Sequence, residues 1–381
     1  MGAKRKSRDG HPGLKPEELT HACDPVSLGF QTTDDLPELQ AVIGQPRALR
    51  ALEIGSEVSG PGYNIFVLGL PGSGRTTLSQ EYLTRKAQQE AVPSDWCYVN
   101  NFGDPHTPLA LELPAGRGVE IKRDLANTIE YCQREIPRTF ESEEYTQERD
   151  RLLSELKKNQ EEELERLDGY VQKYKFSVMR IPAGFMLVPA PAGRPLKPKE
   201  IEQLDPEQKE KLEKLHARLM VEVEKSLNLI REMGREAFEQ LNELNRRTTQ
   251  FLIEPSFNQL RDKYADYEPV VGFLNSVQTD IIENVRFFLP TEAGSDEAKP
   301  DPELRRLAQD WTTRYQVNVL VDHSTRNGAP VVLESHPTYY NLLGRIEHEV
   351  YMGASRTDFT LIQAGALHRA NGGYLIWPGM C

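Results

Sequence analysis

Cysteine is scarce in this chain: Cys23, Cys97, Cys132 and Cys381 are scattered with no C-x-x-C pair, which argues against both a disulfide scaffold and a zinc site. Its eight histidines include no H-E-x-x-H pair, so His348-Glu349 reads as a solvated helix step. There is no G-x-S-x-G, and no Ser/His or Ser/Lys pairing stands at a motif spacing, so acyl transfer has no signature. No run approaches the ~18 apolar residues that a membrane span needs. Positive charge is also short. Lys and Arg total 46 against 58 Asp and Glu, a net charge of −12 that disfavours a general nucleic-acid binder. The basic start has no apolar core behind it, and Lys6 stands where a myristoylation signal needs Ser or Thr. The expectation is a disordered tail on a cytoplasmic protein, with no membrane partner and no nucleic acid.

What the chain does have is residues 63–77, an apolar run followed by a glycine-rich turn and a helix-forming stretch. Gly69, Gly74 and Thr76 meet the pattern G-x-x-x-x-G-K-[ST], with Arg75 in place of the lysine. The run 65–68 reads as a parallel strand covered on both faces, and residues 76–86 lack Gly and Pro, as a following helix should. In such a loop the glycines let backbone N–H groups converge on phosphate oxygens, and the helix N-terminus favours their negative charge. Gly69, Pro71, Gly72, Ser73, Gly74, Arg75, Thr76 and Thr77 are therefore the candidate phosphate-binding residues, with Thr76 placed to ligate Mg²⁺ through the nucleotide. Arginine is planar and longer than lysine, so this exchange alters a point-charge role. An acidic strand end, needed for Mg²⁺ and water, is missing where it is expected: residues 374–376 run into Trp377 and Pro378. Asp322, after an apolar run, is the fallback.

The organisation along the chain follows from periodicity. Residues 1–28 form an extended or disordered lead-in, and 29–138 hold a short helix, a longer helix, the loop, a strand over 95–102 and a helix over 117–136. Over 139–305 two charged, narrow-striped helical runs predict an antiparallel coiled-coil hairpin, roughly 55–65 Å long at 1.5 Å per residue. A small β tip lies at about 177–198, where Phe185, Met186, Leu187 and Val188 either pack under the tip or offer a contact patch. From 306 to 381 β patterning resumes at 315–322 and 329–333, with an amphipathic helix over 341–351 and a strand over 372–376.

These residues resemble one family. Cys23-Asp-Pro-Val-Ser-Leu, Ile43-Gly-Gln-Pro-Arg-Ala-Leu, the arginine-bearing loop, Asp95-Trp, Asn100-Asn-Phe-Gly-Asp-Pro, Leu113-Pro-Ala-Gly-Arg-Gly and Gly365-Ala-Leu-His-Arg-Ala-Asn-Gly-Gly-Tyr-Leu-Ile are similar to the Lon-like proteases of prokaryotes, over residues 14–376. The resemblance implies an α/β fold, an AAA+-like P-loop parallel sheet of strand order 5-1-4-3-2, incomplete at the C-terminus and interrupted by a helical hairpin. It implies ATP or ADP with Mg²⁺ as cofactor, and Val42, Ile43 and Gly44 near the adenine. It also implies unfolded polypeptide as substrate and a homo-oligomer, a hexameric ring in the full-length family. The family's Ser–Lys protease domain lies beyond residue 381. The abrupt change after Ile376 reads as a truncation or frameshift that leaves hydrolysis impaired, no protease activity, and unpaired apolar strand edges. Two other classes compete: a DNA-repair ATPase split by a coiled coil, whose arms run far longer, and a non-enzymatic scaffold with a vestigial P-loop, separable by nucleotide binding.

Overall fold

The computed structural model describes residues 15–20, 23–36, 45–58, 60, 62–181, 184–191, 194, 206–289, 311–351 and 354–378. The chain divides into two compact units, Met1–Tyr82 and Leu83–Cys381.

In the first unit, the described part of the lead-in makes only short 3-10 turns at Pro16–Glu18, Pro25–Leu28 and Thr33–Asp35, none with a buried residue. Helix α1 (Pro46–Glu57) opens on a proline at its first turn, where a missing N–H costs nothing. It buries Leu52 and Gly55. Gly55 is needed for close approach: a Cβ there would stand 3.2 Å from Ile65 Cδ1. Residues 63–70 form no regular element and make no strand ladder, and helix α2 (Arg75–Ala87) follows.

The expected parallel sheet around 65–68 is therefore corrected: among the described residues this run has no strand partner, and Phe66 and Leu68 are 73% and 74% exposed. The strand that the sequence places next, β1 (Asp95–Val99), has both edges taken. It pairs antiparallel with β2 (Leu109–Leu113) and with β5 (Val317–Val321), so that β1 is the centre of a three-stranded sheet.

That sheet is the floor of the main core in the second unit. One face, carrying Cys97, Val99, Leu111, Leu113 and Val317, is buried, as alternation predicts for an antiparallel sheet with one covered side. The cover begins with helix α3 (Arg117–Phe140), whose buried Ile121, Leu125, Ile129, Cys132, Ile136 and Phe140 recur at three- and four-residue steps. It is completed by the last turns of helix α5 (Pro206–Lys263) through Ile253, Phe257, Leu260 and Tyr264, and by helix α6 (Glu268–Glu283) through Phe273, Leu274 and Val277. Below the core, Asp124 Oδ2 accepts from Lys263 Nζ at 2.6 Å and Tyr264 Oη at 2.9 Å, tying α3 to α5.

Away from this core, α4 (Glu143–Gln172) and α5 pack against one another. Tyr145 Oη donates to Asn245 Oδ1 at 2.6 Å, Arg166 Nη2 to Ser226 Oγ at 3.2 Å, and Leu167 and Val171 share a cluster with Leu219 and Val223. Partners run backward on α5 as α4 runs forward, so the two helices are antiparallel. They are unequal: α4 has 30 residues and α5 has 58, the excess of α5 going into the main core. The joining hairpin, β3 (Phe176–Ile181) with β4 (Gly184–Pro189), pairs Met179 with Met186 and Val178 with Leu187. Phe176 and Leu187 are buried over Leu167 and Val171, whereas Met179 and Met186 are exposed. Of the tip residues singled out above, Leu187 therefore turns inward and Met186 outward.

Toward the C-terminus, β6 (Val331–Leu333) pairs parallel with β11 (Tyr374–Ile376). The helix expected over 341–351 is shorter, α7 (Tyr339–Leu343). Gly344, at φ +87, stops it where a Cβ would fall 2.3 Å from the Gln363 carbonyl oxygen. The chain then forms β7 (Gly344–Ile346), antiparallel to β10 (Ile362–Ala364), and the β8–β9 hairpin (Glu349–Tyr351, Ala354–Arg356). Helix α8 (Ala366–Arg369) leads into β11.

Candidate phosphate-binding loop

The loop of the first unit is built by a turn and a helix start. Ser73 N donates to Leu70 O at 3.1 Å, closing the turn, and Leu78 N donates to Gly74 O at 2.8 Å, starting α2. Gly72 and Gly74 sit at φ +80 and +79, left-handed positions that a side chain resists. Gly69 is required for another reason: a Cβ would come within 2.8 Å of Ser73 Oγ and 3.2 Å of Arg75 Cδ. Buried Leu78 and Ser79 anchor the helix on its first two turns. The N–H groups of its opening turn have no carbonyl four residues back, so they face outward as donors.

Around this concave backbone, Pro71, Ser73, Thr76 and Thr77 are exposed and Arg75 is half-buried. Gly69 thus lies against Ser73 and Arg75, and Thr76 and Thr77 stand in the first turn of α2, the groups a candidate phosphate site would use. Val42, Ile43 and Gly44 lie outside the described residues. The fallback acid does not follow a parallel strand. Asp322 ends β5 in the antiparallel sheet and its carboxylate accepts from Ser324 N at 2.8 Å, closing its own turn. Trp377, half exposed, follows β11, where Glu334 N donates to Ile376 O.

A second constellation joins residues that the motifs contain but to which they assign no role. Asp95 is fully buried at the start of β1, and its carboxylate accepts three backbone N–H groups: Gly116 at 2.8 Å, Gly118 at 3.0 Å and His323 at 2.8 Å. It so fixes the N-terminus of α3 and the end of β5 to one point. Gly118 has no room for a side chain, since a Cβ would lie 2.9 Å from Cys97 Sγ. The sequence signal was an acid opening a strand, with a glycine pair at its next helix start.

Two stretches match models of known families. Residues 327–378 match the LonB-like AAA domain, and residues 95–128 match the Lon-like LonC helical domain. Both matches support a Lon-like protease family member. The first match takes in β6 to β11 with their parallel pair, and the second takes in β1, β2 and the first half of α3. The loop 69–77 lies outside both matched stretches. No curated protein matches the chain. Among the described residues no helix is long and apolar enough to cross a membrane, and no three His, Cys, Asp or Glu side chains gather to hold a metal ion.

Proposed function

We propose that this chain is the nucleotide-binding and substrate-handling segment of a Lon-like, ATP-dependent serine protease. The observation that carries the reading is the shape of the loop: Gly69 pressed against Ser73 and Arg75, two left-handed glycines, and an open helix start immediately after them. ATP or ADP phosphates would lie over the N–H groups of 72–77, with Arg75 contacting them bidentately in place of lysine and Thr76 holding Mg²⁺. Bound Mg²⁺ would supply charge neutralisation between the phosphates. With Trp377 at the strand end and Asp322 spent on its own turn, the chain binds nucleotide and does not turn it over.

The parallel pair β6–β11 supports an AAA+-like core, since the strand order 5-1-4-3-2 places strands 2 and 3 side by side. The module interrupting that core is wider than residues 139–305, because β1, β2, α3 and β5 share one apolar core with α5 and α6. Its antiparallel helix pair acts as a coiled-coil arm, presenting Met179 and Met186 to unfolded polypeptide or to neighbouring subunits of a hexameric assembly in the cytoplasm.

Titrating labelled ADP and ATP by fluorescence polarisation tests the loop. We expect Mg-nucleotide binding that falls at least tenfold in Gly74→Val, which cannot hold φ +79, combined with Thr76→Ala. Binding untouched by both changes would make the loop vestigial, and phosphate release above background would overturn the assignment of impaired hydrolysis.

A further inference from the structure

Beside the sheet of the second unit lies a cleft of about 340 Å³ between the outer edge of β5 and β10, well away in sequence from the loop just described. His323 lines it. Its ring is 1% exposed, and both ring nitrogens are buried with no hydrogen-bond partner. The ring cannot easily swing away. Its backbone N–H is held by Asp95 Oδ1 at 2.8 Å, and its carbonyl accepts from Arg326 N at 3.1 Å, which turns the exposed Arg326 back over the same cleft. From the other side Arg369, on α8, lines the cleft with its guanidinium 3.5 Å from Glu334 Oε2. Asn318 is already committed, donating to the carbonyls of Phe359 at 2.8 Å and Ile362 at 3.0 Å, and so fixes the cleft wall without competing for a ligand.

A buried imidazole with two orphaned nitrogens is costly to keep, and native proteins almost always supply a partner. The partner that suits a ring N–H in a cleft lined by Arg326 and Arg369 is an oxyanion, because arginine forks match phosphate oxygens and charged hydrogen bonds are the strong ones. We propose that this cleft is an anion site that takes a phosphate-class ligand, with His323 as the buried donor and Arg326 and Arg369 as the charged walls. The charged groups facing the ring are Arg326, Asp95 and Asp322. Burial first, then Arg326, holds the ring below the usual histidine range, so it enters neutral and one nitrogen donates. Asp322 also lines the cleft; its carboxylate is turned to Ser324 N. The volume admits a phosphate with a small organic group attached.

The test uses the full chain carrying Gly74→Val, so that the loop at 69–77 does not report, and inorganic phosphate as the probe. We expect phosphate to shift the imidazole nitrogen resonance of His323, assigned by its absence in His323→Gln. We expect calorimetric affinity to fall at least tenfold in Arg326→Ala, an exposed position that leaves the fold intact. A resonance unmoved by phosphate would mean that a buried water alone satisfies the ring. Binding that is equal in Arg326→Ala and the parent would equally sink the site. Loss of nucleotide binding in Gly74→Val with phosphate binding retained separates this site from the loop.

Discussion

Two short apolar runs, 65–68 and Val317–Val321, have the same texture and different fates. The second is paired along β1 and carries Val317 and Val321 into burial; the first forms no strand and leaves Phe66 and Leu68 mostly in solvent. Hydrophobicity states a demand for cover, but a strand also needs a neighbour to take its N–H and C=O groups. Val317–Val321 meets β1 across long sequence separation, and α3 and α6 close over that sheet. Within the first unit, Ile65 lies against α1 at Gly55.

The sharpest way to press this contrast is to remove one ring from the covered side. Phe273 is 2% exposed on α6 and lies 6.3 Å, centroid to centroid, from Phe102. Phe273→Ala leaves a cavity in a core shared by α3, α5, α6 and the sheet, and should cost about 3–5 kcal/mol in chemical denaturation. A loss below about 1 kcal/mol would show that this core is not the unit that holds the fold.

Much of this was legible in the sequence. The helix α3, the strand at 95, the β tip and the long charged helices all declared themselves by period, because each buries one face and keeps the other wet. The position of β1 at the centre of an antiparallel sheet was not legible. Its partners β2 and β5 are separated in sequence by α3 to α6 and the tip hairpin, and nothing local says which strand a strand will meet. The loop was readable because its glycines answer to backbone geometry. Asp95 and His323 were not, because a carboxylate that accepts main-chain N–H groups leaves no spacing motif.

A smaller effect concerns the end of β5 and its dependence on pH. His323 has its folded pKa lowered below 6.5, by burial first and by Arg326 second. The unfolded chain, with the ring near its ordinary value, therefore binds more protons in the window below about pH 6.5. Stability that is fully present above that value falls as pH drops through it, by at most about 1.4 kcal/mol per pH unit from this one group. Denaturation midpoints between pH 7.5 and 5.5 should show the parent losing more than His323→Gln. Parallel slopes in the two proteins would mean that the ring does not titrate on folding.

The smallest expected effect lies on the uncovered side. Phe66 is 73% exposed, so Phe66→Ser removes little buried area and should change stability by no more than about 0.5 kcal/mol, as surface substitutions do. It should act on association instead. Phe66, Leu68 and Leu70 form an exposed apolar run, the kind of surface that recruits other chains. The double change Phe66→Ser with Leu68→Ser is expected to lower light scattering on concentration while leaving the thermal midpoint in place. A drop of several kcal/mol would reverse the comparison, since it would mean that this run is covered in solution and that 65–68, like Val317–Val321, finds a neighbour there.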